Sequence, residues 1–148
     1  MDMVKLKNEI TVDEGRRKNP YKDTAGIWTA GIGHNLSAHG ASWTDISTWL
    51  AQGVPDAVID KWYDDDIADA ITCCKDIFPT FDVLPDNVQR VLANLGFDLM
   101  WELKEWPRLR AAIASEDWQG AAMAVLDSKF AQQAPARCGR LAVRMVGG

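Results

Sequence analysis

The chain lacks any run of 18 apolar residues, so no membrane-spanning helix is expected. Its first residues, Met1-Asp2-Met3-Val4-Lys5-Leu6-Lys7, alternate charged and apolar side chains. They lack the apolar core of a secretory signal, and synthesis and retention in the cytoplasm are expected. Cysteine is scarce, with three in 148 residues, and Cys73 and Cys74 are adjacent. That pattern suits a buried helix face better than a disulfide framework and reads as small buried thiols. Cys73, Cys74, His34 and His39 show neither C-x-x-C nor H-x-x-x-H spacing, so no metal and no other cofactor is expected. There is no basic excess either: 16 Lys and Arg face 21 Asp and Glu, for a net charge of −5. A strongly basic nucleic-acid binder is disfavoured at the level of the whole chain, and no nucleic-acid partner is expected.

What is present is ordinary globular composition, 47% hydrophobic and 25% charged, without an internal repeat. One domain is the natural count at this length. The charge is uneven. Residues 1–40 carry six Lys and Arg against five Asp and Glu, residues 41–105 four against thirteen, and residues 106–148 six against three. A surface built from the two ends suits an anionic polymer better than the total charge suggests.

Met3, Leu6 and Ile10 follow helical spacing from Asp2 to Glu14, and Gly15 is a good stop residue. Asn19 to Gly26 reads as turn-rich, and Ile27 to Gly33 as a short twisted hairpin. A helix is expected over about Thr44–Gln52. The longest helical signal opens at Val54-Pro55-Asp56 and stops before Pro79. About 23 residues would span about 35 Å, enough to join two lobes. Within it, Asp64-Asp65-Asp66 cannot all face water, and Asp66 falls seven after Ile59 on the inward stripe, where a carboxylate needs a partner. Shorter helices are expected over 88–97, 109–114, 118–130 and 137–146. The fold class is α+β and mostly helical: a hairpin lobe over about 15–54, a helical lobe of 1–14 plus 80–148, and a connecting helix over 55–79.

Glu14 and Asp23 stand nine residues apart across a helix end and a turn, and Thr29 follows six later. Glycosidic hydrolysis uses one carboxyl group to protonate the leaving oxygen and a second to attack or to hold water. At a helix C-terminus Glu14 meets the negative end of the dipole, which favours its protonated form and suits an acid role. Among 21 acids such a pair also arises as plain surface charge.

Glu14-Gly15-Arg16-Arg17 and Pro20-Tyr21-Lys22-Asp23-Thr24-Ala25-Gly26-Ile27-Trp28-Thr29-Ala30-Gly31-Ile32-Gly33-His34 closely resemble the phage-type lysozymes, glycoside hydrolase family 24, of the T-even type. The family's spacing of Glu, eight residues, Asp or Cys, five residues and Thr is met by Glu14, Asp23 and Thr29. Asp66 matches the carboxylate that pairs with the histidine seen here as His34. Trp118 to Ala122 and Gln133 to Arg140 resemble its two C-terminal signatures, which puts Arg137 in the place of the arginine that pairs with the catalytic glutamate. The sequence departs from the family at Asn35, after His34, and at Asp98, after Phe97.

The resemblance implies a lysozyme-like fold and a muramidase that cuts the β-1,4 bond between N-acetylmuramic acid and N-acetylglucosamine in peptidoglycan, in a cleft between two lobes. Glu14 is then the general acid, and Asp23 and Thr29 manage the attacking water. Phe97 and Asn35 are candidate substrate contacts, Phe97 weighing equally as core. Arg137, His34 and Asp66 support the site, with His34 and Asp66 forming an ion pair. Hydrolysis with inversion is expected, as is a monomer that does not insert into the membrane. The protein would wait in the host cytoplasm for a separate pore-forming holin and act on the periplasmic wall, causing lysis. A lytic transglycosylase and a non-catalytic wall-binding module are the alternatives. The first needs no hydrolytic water, and the second needs none of the three residues.

Overall fold

In the computed structural model, which describes residues 1–147, the chain opens with helix α1 (Met3–Glu14). Leu6 and Ile10 are its buried residues, one turn apart, and most of the remaining positions are exposed or half-buried. Gly15 ends it with a positive φ of 70°, its N–H reaching Thr11 O at 2.8 Å. Glu14 is therefore the last helical residue.

Strands β1 (Arg17–Lys22), β2 (Trp28–Gly31) and β3 (His34–Asn35) follow as an antiparallel sheet in that order. The expectation of turn structure from Asn19 onward is corrected here, because Asn19 to Lys22 belong to β1. The strand is an edge, where a proline without an N–H is tolerated, and its register shifts between Arg17 and Tyr21, next to Pro20. Asn19 Nδ2 donates to Trp49 O and Leu50 O, both at 3.2 Å. Val54 N–H donates to Lys18 O at 2.8 Å. These bonds outside the ladder override the local turn propensity.

Helix α2 (Trp43–Gln52) starts at a capping box: Ser42 accepts from Asp45 N–H, and Asp45 accepts from Ser42 N–H. Helix α3 (Asp56–Ile77) has 22 residues. Asp64 and Asp65 are exposed and Asp66 is half-buried, as the phase of the helix requires.

Next come α4 (Asp86–Leu99), α5 (Pro107–Ala114), α6 (Trp118–Leu126), α7 (Lys129–Gln133) and α8 (Pro135–Met145), with short 3-10 turns at Phe81–Val83 and Met100–Glu105. The single helix expected over 118–130 is two. Ser128 takes an extended conformation and accepts from Ala131 N–H, which caps α7 and breaks the run. The fold is thus α+β and mostly helical.

The chain divides into two compact units, residues 7–68 and residues 1–6 with 69–148. The first contains the sheet and α2 and buries Ile10, Ala30, Ile32, Leu36, Ile46, Ile59 and Ile67. The second is helical and holds one core cluster running from Cys73 to Met145. In it Gly96 lets α4 approach α3 closely: a Cβ there would stand 2.8 Å from Cys74 Sγ. Cys74 donates to Leu92 O at 3.2 Å, and burial pushes its thiol far up. Cys73, Cys74 and Cys138 are buried and not joined in disulfides.

Candidate active site

Within residues 7–68 the sheet register sorts the functional side chains onto two faces. Thr29 lies opposite Tyr21 on one side and Asn35 on the other, which makes a single cross-strand row. The pairing runs one step past β1, where Asp23 N–H donates to Ile27 O at 3.0 Å. Asp23 is two residues beyond Tyr21, so pleat alternation puts it on the face of Thr29 and Asn35. The opposite face carries Ala30 paired with His34.

The turn between β1 and β2 orients Asp23. Its Oδ1 accepts from Ala25 N–H and Ile27 N–H, both at 2.9 Å, while Gly26 N–H donates to its backbone oxygen. Two donors on one oxygen hold the carboxylate in place. Thr29, only 6% exposed, donates its hydroxyl to Ile27 O at 3.0 Å. Its proton is committed to a carbonyl, so the oxygen lone pairs are acceptors.

Glu14 is held by the turn after β2. Gly33 has a φ of 62°, and a Cβ there would stand 2.7 Å from Glu14 Oε2, 3.0 Å from Cδ and 3.2 Å from Cγ. The carboxyl group fills the space that any other residue's Cβ would take. As a sequence feature Gly31-Ile32-Gly33 reads only as tight packing, and its service to Glu14 depends on a contact with a separate helix. The rest of α1 is tied to α3 through Tyr63, which donates to Lys7 O at 2.6 Å and lies 3.1 Å from the Thr11 hydroxyl. Burial pushes the Tyr63 phenol up, and the nearby charges of Glu14 and Asp13 add to the effect.

His34 and Asp66 meet on the other face, with Nδ1 and Oδ2 2.7 Å apart. The His34 ring stacks on Trp62 at 4.2 Å between centroids. Gly31 fits here as well, because a Cβ would stand 3.1 Å from Ile59 Cγ2. The basic residues at the start of the sheet are already engaged: Arg16 bonds Asp60 at 2.8 Å and Asp56 at 3.2 Å, and Arg17 lies over the Tyr21 ring. The hydrogen bond to Asp60 is the main reason the Arg16 guanidinium is held above its ordinary range, and Arg16 in turn holds the Asp56 carboxyl below its own. Arg16 is therefore a tie to α3 more than an attraction for an anionic substrate.

In the helical unit Arg137 is 7% exposed and lies on α8. It donates to Asn94 Oδ1 at 2.8 and 3.1 Å and to Asn94 O at 3.3 Å, it approaches Asp98 Oδ2 at 3.5 Å, and it lies over the Phe130 ring. Asn94 and Asp98 are one helical turn apart on α4, so the unusual Asp98 contributes charge to this arginine. Phe97, between them, is half-buried. Asn94, fully buried, went unnoticed in the sequence because an amide inside an apolar helix carries no signal until its partner is known. A separate groove of about 480 Å³ in this unit, lined by Leu99, Trp106, Leu109 and Phe130 among others, contains none of the expected site residues.

A glutamate at a helix C-terminus, a turn-held aspartate and a buried hydroxyl all lie within residues 7–68, and these are residue types that glycosidic hydrolysis uses. Residues 12–137 match the phage lysozyme family, and the chain belongs to it. A search of curated proteins gave no match. Its α+β architecture is lysozyme-like, and it is a lysozyme-type hydrolase whose substrate is peptidoglycan. No helix of the described residues is long and apolar enough to cross a membrane.

Proposed function

We propose that the chain is a muramidase that hydrolyses the β-1,4 bond between N-acetylmuramic acid and N-acetylglucosamine with inversion at the anomeric carbon. The observation that carries this reading is the placement of Asp23 and Thr29 on one sheet face, the first with Oδ1 held by two backbone N–H groups and the second with its proton given to Ile27 O. A water can donate one hydrogen to each, and its own lone pair then points away from both. Glu14 protonates the glycosidic oxygen as that bond breaks. The water attacks the anomeric carbon from the opposite side, and its proton passes to Asp23. Asn35, in the same cross-strand row, is a sugar contact. In the cell the protein acts as a monomer. It is made in the host cytoplasm, a separate holin releases it to the wall, and lysis follows.

Proton NMR of fresh digests of a soluble peptidoglycan fragment tests the reading. The α-anomer appears first if water is held by Asp23 and Thr29. An initial β-anomer makes Asp23 the nucleophile, and a 1,6-anhydro product makes the chain a lytic transglycosylase.

A further inference from the structure

His34 and Asp66 account for each other as an ion pair, but a third group faces them. His39, in the loop after β3, lies with Nε2 3.6 Å from Asp66 Oδ1, the carboxylate oxygen that His34 does not use. The two imidazole rings stack with centroids 4.2 Å apart and planes 28° from parallel. One nitrogen from each histidine and one Asp66 oxygen all lie within 4.8 Å of one another.

From this cluster we infer that His34, His39 and Asp66 form a binding site for one divalent transition-metal ion, of which zinc is the representative. The chemistry of the donors selects the ion. Two imidazoles and a carboxylate suit zinc, nickel, cobalt or copper, whereas magnesium and calcium favour all-oxygen sets. The spacing agrees. Ligand atoms about 2.1 Å from a tetrahedral ion lie about 3.4 Å from one another. The His39–Asp66 separation of 3.6 Å is long for a hydrogen bond and close to that edge. His34 Nδ1 must draw back from its 2.7 Å hydrogen bond, exchanging a proton for the metal.

The surroundings hold the ligands as second partners do in metal sites. His39 Nδ1 lies 2.8 Å from Asn35 O, which is satisfied when Nδ1 carries the proton and leaves Nε2 with its lone pair toward Asp66. Trp62 closes the other face of His34, and Trp49 meets Trp62 edge-on, so the buried ring cannot turn away. Access is through His39, whose side chain is 48% exposed against 4% for His34 and 14% for Asp66. Sequence spacing alone missed the cluster because its carboxylate comes from the middle of α3.

Calorimetric titration of the untagged full chain with zinc chloride, and with magnesium chloride as control, tests the site. The expected result is one zinc per chain, no magnesium binding at the same concentrations, and affinity weakened more than about tenfold in His39→Ala, which removes a ligand from an exposed loop. Cobalt(II) titration is expected to give d–d absorption without the thiolate charge-transfer band that binding at Cys73, Cys74 or Cys138 would produce. Failure of the folded wild type to bind zinc, equal affinity in wild type and His39→Ala, or a thiolate band overturns the proposal.

Discussion

Six glycines between residues 15 and 53 take positive φ, whereas Gly147 is the one described glycine of the helical unit to do so. The difference reflects how each unit fixes its polar groups. Residues 7–68 hold Glu14, Asp23 and Thr29 with turns, where backbone N–H and C=O groups stand at set angles and left-handed residues are required. The helical unit holds Arg137 by burying it among side chains on α4, over a continuous apolar core. Reacting groups placed by turns can be set closely while resting on little apolar area. Groups placed by a core withstand local change but depend on the stability of the whole. Damage to the turns should therefore lower catalysis first, and damage to the core should lower stability first.

The largest effect is expected at Glu14, the proposed acid. Glu14→Gln keeps the shape and removes the proton, and loss of a general acid costs about 10²–10⁴ in rate. Turbidity clearing of purified cell walls measures it, with circular dichroism to show that the fold is kept. Clearing near the wild-type rate would mean another group is the acid, and it would also remove the wall-binding alternative.

The counterpart in the helical unit is Leu92→Ala. Leu92 is fully buried in the core cluster on α4. Replacing a buried leucine with alanine costs about 2–5 kcal/mol from lost transfer energy and the cavity left behind. Urea unfolding of the variant should show that loss, while clearing per folded molecule stays near wild type. A stable variant with poor clearing would reverse the comparison, because the core would then be setting the site directly.

Much of this contrast was legible in the sequence, for reasons local to each element. Gly15 marks the end of α1, so Glu14 was readable as a C-terminal helix residue before any coordinates. The inward phase of Asp66 follows from the period of α3 alone. What failed to show depends on partners distant in the chain. β1 is a strand because β2 lies beside it and α2 accepts from Asn19, and neither is visible in Asn19-Pro20. The break between α6 and α7 turns on the backbone of one serine. Arg137 was readable through the family resemblance, yet its attachment to Asn94 and Asp98 needed the packing of α4 against α8.

The smallest effect, and the sharpest for the comparison, is expected from Gly33→Ala. Two costs arise together. A left-handed alanine at φ near 62° costs roughly 1–2 kcal/mol in backbone strain. The new methyl would also sit 2.7 Å from Glu14 Oε2, so the carboxyl group must move. Gly40→Ala separates the two, since its φ is 75° and a Cβ there meets nothing within 4 Å. Both variants should lose similar stability in thermal melts, because the strain is the same in kind. Only Gly33→Ala should lose activity beyond that, by about tenfold, because misplacing a catalytic group by about 1 Å costs up to about 10² in rate. The loss should fall on turnover more than on substrate affinity, since the acid role proposed for Glu14 acts on the reacting bond. Equal clearing by the two variants would show that Glu14 finds its place without the turn, and that the glycine serves only the backbone.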